Sequence, residues 1–196
     1  MNTFCRLFFL LILSVFLCNC HSLSQQQQDK GTALIQACKK GDARLAEQLL
    51  HQGADANTIG IGGETPLGAA LICLNKGRWK RHAEGCVRIL LHANANPNQP
   101  YRHTTPIHLA VGTGKVEIAE LLIRNGADPN AETAGSLAPI WWTAYQNHAP
   151  MAEMLLRHGA NPNARDTLGR TPLQFLQEQG HQRTRVMQYL RQYGGK

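Results

Sequence analysis

Apolar and polar positions change rhythm twice along this chain. An apolar run from Leu7 to Leu17 follows Arg6, and residues 22–29 (Ser-Leu-Ser-Gln-Gln-Gln-Gln-Asp) are polar. Beyond them, short helix-like segments alternate with loops rich in Gly, Asn and Pro. Each helical stretch shows apolar residues at the three- and four-residue spacing that gives a helix one buried face. Paired leucines or Leu-containing pairs mark alternate helices: Leu49-Leu50, Leu90-Leu91, Leu121-Leu122 and Leu155-Leu156.

The loops repeat with a fixed period. Ala33, Pro66, Pro106, Pro139 and Pro172 are spaced by 33, 40, 33 and 33 residues. In phase with them stand four related phrases: GADAN at 53–57, NANPN at 94–98, GADPN at 126–130 and GANPN at 159–163. A period of this length marks a solenoid of small stacked units. Thr65-Pro66, Thr105-Pro106 and Thr171-Pro172 suit a helix start, Thr as cap and Pro in the first turn. Gly41, Gly114 and Gly180 fall where a left-handed residue can end a first helix, and Asn147 holds that place in the fourth unit.

These residues resemble the ankyrin repeat. TPIHLAVGTGKVEIAELLIRNGADPN at 105–130 follows the repeat pattern almost throughout, and Asp166-x-x-Gly169-x-Thr171-Pro172-Leu173 follows its opening. The expected fold is an all-α repeat solenoid of helix–turn–helix units with hairpin loops. Five repeats are expected, at 29–57, 58–98, 99–130, 131–163 and 164–196, with an insertion at 75–85 in the second. The first and last depart from the pattern, as capping units do.

Residues 1–20 read as a signal peptide: eleven apolar-rich residues suit a signal core, whereas a membrane-spanning helix needs about twenty. Leu17-Cys18-Asn19-Cys20 resembles the bacterial lipobox, which implies lipidation of Cys20. Asn19 departs from the small residue usual there, so simple cleavage near Cys20 stays open. Residues 21–28 are expected to be a polar tether. His21 after Cys20 is not the Asp of an inner-membrane retention signal, so a lipid anchor in the outer membrane, facing the periplasm, is the expected location. A soluble periplasmic or secreted protein is the alternative.

Composition excludes more than it assigns. The sequence has 196 residues, 43% of them hydrophobic, with 20 Lys+Arg against 13 Asp+Glu, a net charge of +7. Removing residues 1–20 takes away one Arg and no acid, leaving +6. The cations divide between 76–81 and 165–191 without an aromatic-interleaved basic motif, so no nucleic-acid partner is expected. An acidic protein partner or an anionic surface fits better. Gly112-Thr-Gly-Lys115 lacks the upstream Gly and the following Ser/Thr of a phosphate loop and lies where an inter-helix turn is needed. The nine His are scattered and no nucleophile–base arrangement is present, so no catalysis, cofactor or metal is expected.

The ankyrin resemblance implies binding of another protein through hairpin tips and the exposed ends of first helices. Carried onto this chain, the candidate contacts are Ile61, Glu64, Tyr101, Arg102, Leu168 and Arg170 at the tips. Ile72, Tyr145, Gln146 and Glu178 are the helix-end candidates. Trp79, among four basic residues of the insertion, is a further candidate anchor. Trp141-Trp142 is expected to pack between repeats more than to contact a partner. Cys73 and Cys86 bracket the insertion, and an oxidising compartment would allow a disulfide between them; Cys38 is expected to be a buried small side chain. Small exported ankyrin proteins resemble two bacterial groups. One holds immunity proteins that neutralise secreted phospholipase-like (type VI) effector enzymes; the other holds periplasmic scaffolds supporting an envelope enzyme such as a catalase. The first is the expected function, for a chain that is monomeric alone.

Overall fold

A computed structural model describes residues 25–75, 80–133, 137–180 and 184–196, with the side chains of 80–82 left aside. The signal segment and Cys20 therefore lie outside the described residues, as does Trp79. Ten helices are formed among the described residues: α1 (25–40), α2 (Ala43–His51), α3 (Pro66–Asn75), α4 (Lys80–His92), α5 (Pro106–Gly112), α6 (Val116–Arg124), α7 (Pro139–Tyr145), α8 (Ala149–Arg157), α9 (Pro172–Glu178) and α10 (Arg185–Gln192). They pair as the period demands, and each pair stacks on the next. The backbone between pairs forms turns, with isolated antiparallel bridges at Gly60–Glu64 and Tyr101–Thr104. This is an all-α repeat solenoid.

The punctuation works through backbone conformation. Gly41, Gly114 and Gly180 sit at φ of 69°, 71° and 72°, and Asn147 takes the same left-handed conformation at 49°. Thr171 forms a full capping box with Gln174, and Thr65 accepts the Gly68 N–H at 3.2 Å. Thr105 differs: its side chain makes no cap bond and turns to His108 Nδ1 at 2.7 Å. The Leu137 carbonyl can only accept, so the proton sits on His108 Nε2, 2.8 Å away, and Nδ1 accepts from Thr105. One histidine thus ties its own helix start to the next repeat.

That histidine is buried, and burial holds its pKa below the ordinary 6.5, against the opposing pull of the Leu137 carbonyl. A depressed folded pKa means that protons bind the unfolded chain better once pH drops below about 6.5. The stability His108 contributes is complete above that pH and is lost as pH falls toward the folded value. Thermal unfolding of wild type and His108→Gln from pH 7.5 to 5 should show a gap in Tm that narrows with acidification. A gap independent of pH would mean that His108 does not titrate in this way.

Between repeats runs a ladder of asparagines. Asn57, Asn98, Asn130 and Asn163 each donate from Nδ2 to a carbonyl of the following phrase: Asn94, Gly126, Gly159 and Gly194, at 3.2, 2.8, 2.9 and 2.9 Å. Each also accepts, through Oδ1, the N–H two residues further on, at 2.6–2.9 Å. Such reciprocal bonds satisfy loop backbone that no strand partner reaches.

The ladder starts one step early, and this corrects the expected tether over residues 25–28; residues 21–24 lie outside the described residues. Residues 25–28 are helical, the start of α1. Gln27 Nε2 donates to the Gly53 carbonyl at 2.6 Å, the role an asparagine plays in later repeats, and Lys30 Nζ reaches the Gln52 carbonyl at 2.9 Å. The described part of the polar run, from residue 25, caps the stack.

The described part of the insertion at 75–85, residue 75 and residues 80–85, is helical: α3 has 10 residues where α5, α7 and α9 have 7, and α4 has 13 where α6 and α8 have 9. Cys38, Cys73 and Cys86 are all buried, and none forms a disulfide. Helix extension places Cys73 and Cys86 on the packed faces of α3 and α4, and the Cys86 thiol lies in hydrogen-bond reach of Cys38 in α1. That bond and burial push the Cys38 thiol above its ordinary pKa, which keeps it protonated.

Candidate partner-binding surface

Burial along α5 and α7 leaves two open positions in each. In α5 these are Leu109 and Gly112, and in α7 they are Trp142 and Tyr145; the other residues of both helices are buried. Transferred by the repeat spacing, the second open position reads Lys39, Ile72, Gly112, Tyr145, Glu178, at intervals of 33, 40, 33 and 33. The first reads Gln36, Ala69, Leu109, Trp142, Phe175, of which Ala69 is buried. One face of the stack is thus apolar in its middle and charged at its ends.

At the end formed by the first three repeats, Glu64 is a hub. Its carboxylate pairs with Lys39 Nζ at 2.6 Å and with the Arg102 guanidinium at 3.0 Å, and the Tyr101 hydroxyl donates to it at 3.3 Å. The Lys39 ammonium holds the Glu64 carboxyl below its ordinary pKa, helped by Arg102 and Tyr101 and opposed by partial desolvation. Two cations meet one carboxylate, so this end is net positive. The hub borders a hollow of about 250 Å³ whose floor is Ala69, Ile72 and Cys73.

The ion-pair cluster of the fifth repeat has the opposite balance, although the repeat as a whole carries six Lys+Arg against two acids. Arg170 pairs with Asp166 at 2.8 Å and with Glu178 at 3.0 Å, and lies 5.5 Å from the Phe175 ring centroid. Desolvation would raise Asp166, but N–H bonds from Arg170 and Leu168 and the Arg170 guanidinium outweigh it and hold that carboxyl low. One cation meets two carboxylates. Between the two ends stands an aromatic wall: Tyr145 and Phe175 have ring centroids 4.6 Å apart, over Trp141 at 6.0 and 5.8 Å.

The sequence-predicted contacts sort unequally on this surface. Ile61 and Leu168 stand clear at the tips, 97% and 72% exposed, and Tyr145 is half-exposed. Arg102 is exposed at a tip, with a left-handed φ of 58° and its N–H bonded to the Gly63 carbonyl at 2.6 Å. Glu64 and Arg170 are present but committed to ion pairs. Tyr101 is a correction: it is only 6% exposed, because glycine at position 68 leaves a recess into which its ring folds. It supports the surface and does not offer a contact. Trp141 is buried while Trp142 remains 41% exposed, so the pair divides between packing and surface. Lys39, Leu109, Gly112 and Phe175 were not among the predicted contacts; the repeat spacing points to Lys39 and Gly112 from Ile72, Tyr145 and Glu178, and to Leu109 and Phe175 from Trp142.

Helix pairs in register, turn glycines at one φ and a hydrogen-bond ladder of fixed period leave one architecture. The Ankyrin repeat model matches residues 102–134 and 137–167, and the Ankyrin repeats (3 copies) model matches 5–100. The chain belongs to the ankyrin-repeat family. Among its relatives, the Putative ankyrin repeat protein YahD of Escherichia coli (strain K12) is 38% identical over 99 residues, 50% of this chain and 48% of that one. Ankyrin repeat and SOCS box protein 16 of Mus musculus is 33% identical over 115 residues, 58% of this chain and 25% of the relative. Neurogenic locus notch homolog protein 1 of Danio rerio is 31% identical over 140 residues, 70% of this chain and 5% of its own. The chain thus spans half or less of the length of these relatives. Ankyrin repeats are protein–protein interaction modules, and this ankyrin array is one.

Proposed function

We propose that the chain is an exported, non-catalytic binding protein that neutralises a secreted, phospholipase-like effector by covering its active site. The export-type leader with Leu17-Cys18-Asn19-Cys20 supports placement in the periplasm, anchored by lipid on Cys20 to the outer membrane. The observation that carries the reading is the pair of bare apolar tips, Ile61 and Leu168, flanking the first-helix face. Side chains this exposed serve a binding module when something covers them. Occlusion by a rigid repeat array then needs no chemistry of its own.

The test is capture of the partner from an envelope extract, followed by phospholipid hydrolysis by the captured protein with the array titrated in. Hydrolysis that stops at one equivalent of array, with Ile61→Asp and Leu168→Asp each raising the required concentration at least tenfold, supports the proposal. A captured partner without lipid-hydrolysing activity, or one that the array leaves active, overturns it.

A further inference from the structure

The order of groups along the first-helix face is directional: Lys39, Ile72, Gly112, Tyr145, Glu178. Within the ion-pair clusters on this face, Lys39 and Arg102 outnumber Glu64 toward one end, and Glu178 and Asp166 outnumber Arg170 toward the other. In the middle repeat the column is interrupted. A Cβ built on Gly112 meets nothing within 4 Å, while the neighbouring repeats present Ile72 and Tyr145 at this position. Tyr145 leans onto Phe175, so the aromatic wall stands away from the gap. Gly112 has an ordinary backbone and closes α5, so no local conformation requires a glycine. The gap is room for a side chain that the array itself does not supply.

We propose that this face is a linear groove for an extended segment of a partner protein, with an acidic group over Lys39 and Arg102, a bulky apolar side chain seated over Gly112, and a basic group meeting Glu178. It rests on the reading of this face as the binding surface and adds the partner's chemistry. Charge complementarity fixes the direction of the segment, and the gap fixes where its apolar anchor falls. Neighbouring packed helices lie about 8–10 Å apart, so four steps from Lys39 to Glu178 span roughly 32–40 Å. An extended chain rising about 3.3 Å per residue covers that in about ten to twelve residues.

The experiment is selection of a random twelve-residue peptide library against the purified full chain. Enriched peptides should carry Asp or Glu toward one end, Phe, Trp, Leu or Met near the middle, and Lys or Arg toward the other. Gly112→Leu should weaken a selected peptide at least tenfold without lowering Tm, because leucine favours a helix over glycine. The double reversal Lys39→Glu with Glu178→Lys should select peptides of the opposite charge order. Peptides without this order, undiminished binding to Gly112→Leu, or no enrichment would each overturn the groove. The lipase titration is independent: its failure with successful peptide selection removes the phospholipase-like partner and leaves the groove standing.

Discussion

Replacing Trp141 by alanine should cost about 3–5 kcal/mol, the range for deleting a buried aromatic side chain, and should uncouple the fifth repeat from the fourth. Trp141 is fully buried. It takes the register position of His108 one repeat earlier and reaches forward in a similar way, its Nε1–H donating to the Ala164 carbonyl at 3.1 Å. Its ring also lies 5.8 Å from Phe175 of α9. Both links cross into the last repeat, and a repeat array is stable as a sum of such neighbour interfaces. The loss should therefore be local. In denaturant the variant should unfold in two steps, and hydrogen exchange should show α9 and α10 losing protection before α5 and α6. Trp141→Phe, which keeps a ring and drops the donor, should fall between. Trp142→Ala is the control: that residue is 41% exposed and should change stability by less than about 1 kcal/mol. A single cooperative transition in Trp141→Ala, with protection lost evenly, would show that Trp141 is not the joint between these repeats.

The contrast between these adjacent tryptophans marks what the sequence could show. Features fixed by local backbone were legible. A residue must turn left-handed after each first helix, so Gly41, Gly114, Gly180 and Asn147 announced the turns on their own. The Thr-Pro starts and the phrase period did the same for helix boundaries and repeat count. Features that depend on a residue from another repeat were not legible. A Gln-rich stretch at 25–28 has the composition of a solvated tether, and only the Gly53 carbonyl waiting one turn of the stack away makes Gln27 a cap. Cys73 and Cys86 flank an insertion in the sequence. Lengthening α3 and α4 absorbs most of that insertion and points Cys86 toward Cys38 instead. The candidate surface divides the same way. Tip residues such as Ile61 and Leu168 were found because tips are local, whereas the Gly112 gap exists only between Ile72 and Tyr145.

Gly68 and Tyr101 provide the sharpest test of such cross-repeat dependence. Tyr101→Gly should cost about 3–5 kcal/mol by emptying a buried aromatic site. Gly68 stands at the register position that holds His108 and Trp141 in later repeats, and the Tyr101 side chain from the next hairpin fills the place of its missing one. A Cβ on Gly68 would fall 2.2 Å from Tyr101 Cβ and 2.3 Å from its ring. These are close to the backbone, so the hairpin itself must move. Gly68→Ala in α3 gains about 1 kcal/mol of helix propensity, but overpacking costs about 1–3 kcal/mol, and a contact this short belongs at the upper end. The net expectation in the wild-type chain is destabilisation by about 2 kcal/mol. In a Tyr101→Gly background the obstruction is gone, and the same substitution should stabilise by about 1 kcal/mol. Equilibrium unfolding of the four proteins in one cycle reads this directly, since residues in contact depart from additivity. The same sign in both backgrounds would refute the interlock. Because Tyr101 also donates to Glu64, its loss should loosen the Lys39–Glu64–Arg102 hub as well. Weakened partner binding on replacing Tyr101 would therefore report support of the surface. Contact itself is better read at Ile61, Leu168 and Gly112, where substitution leaves the core untouched.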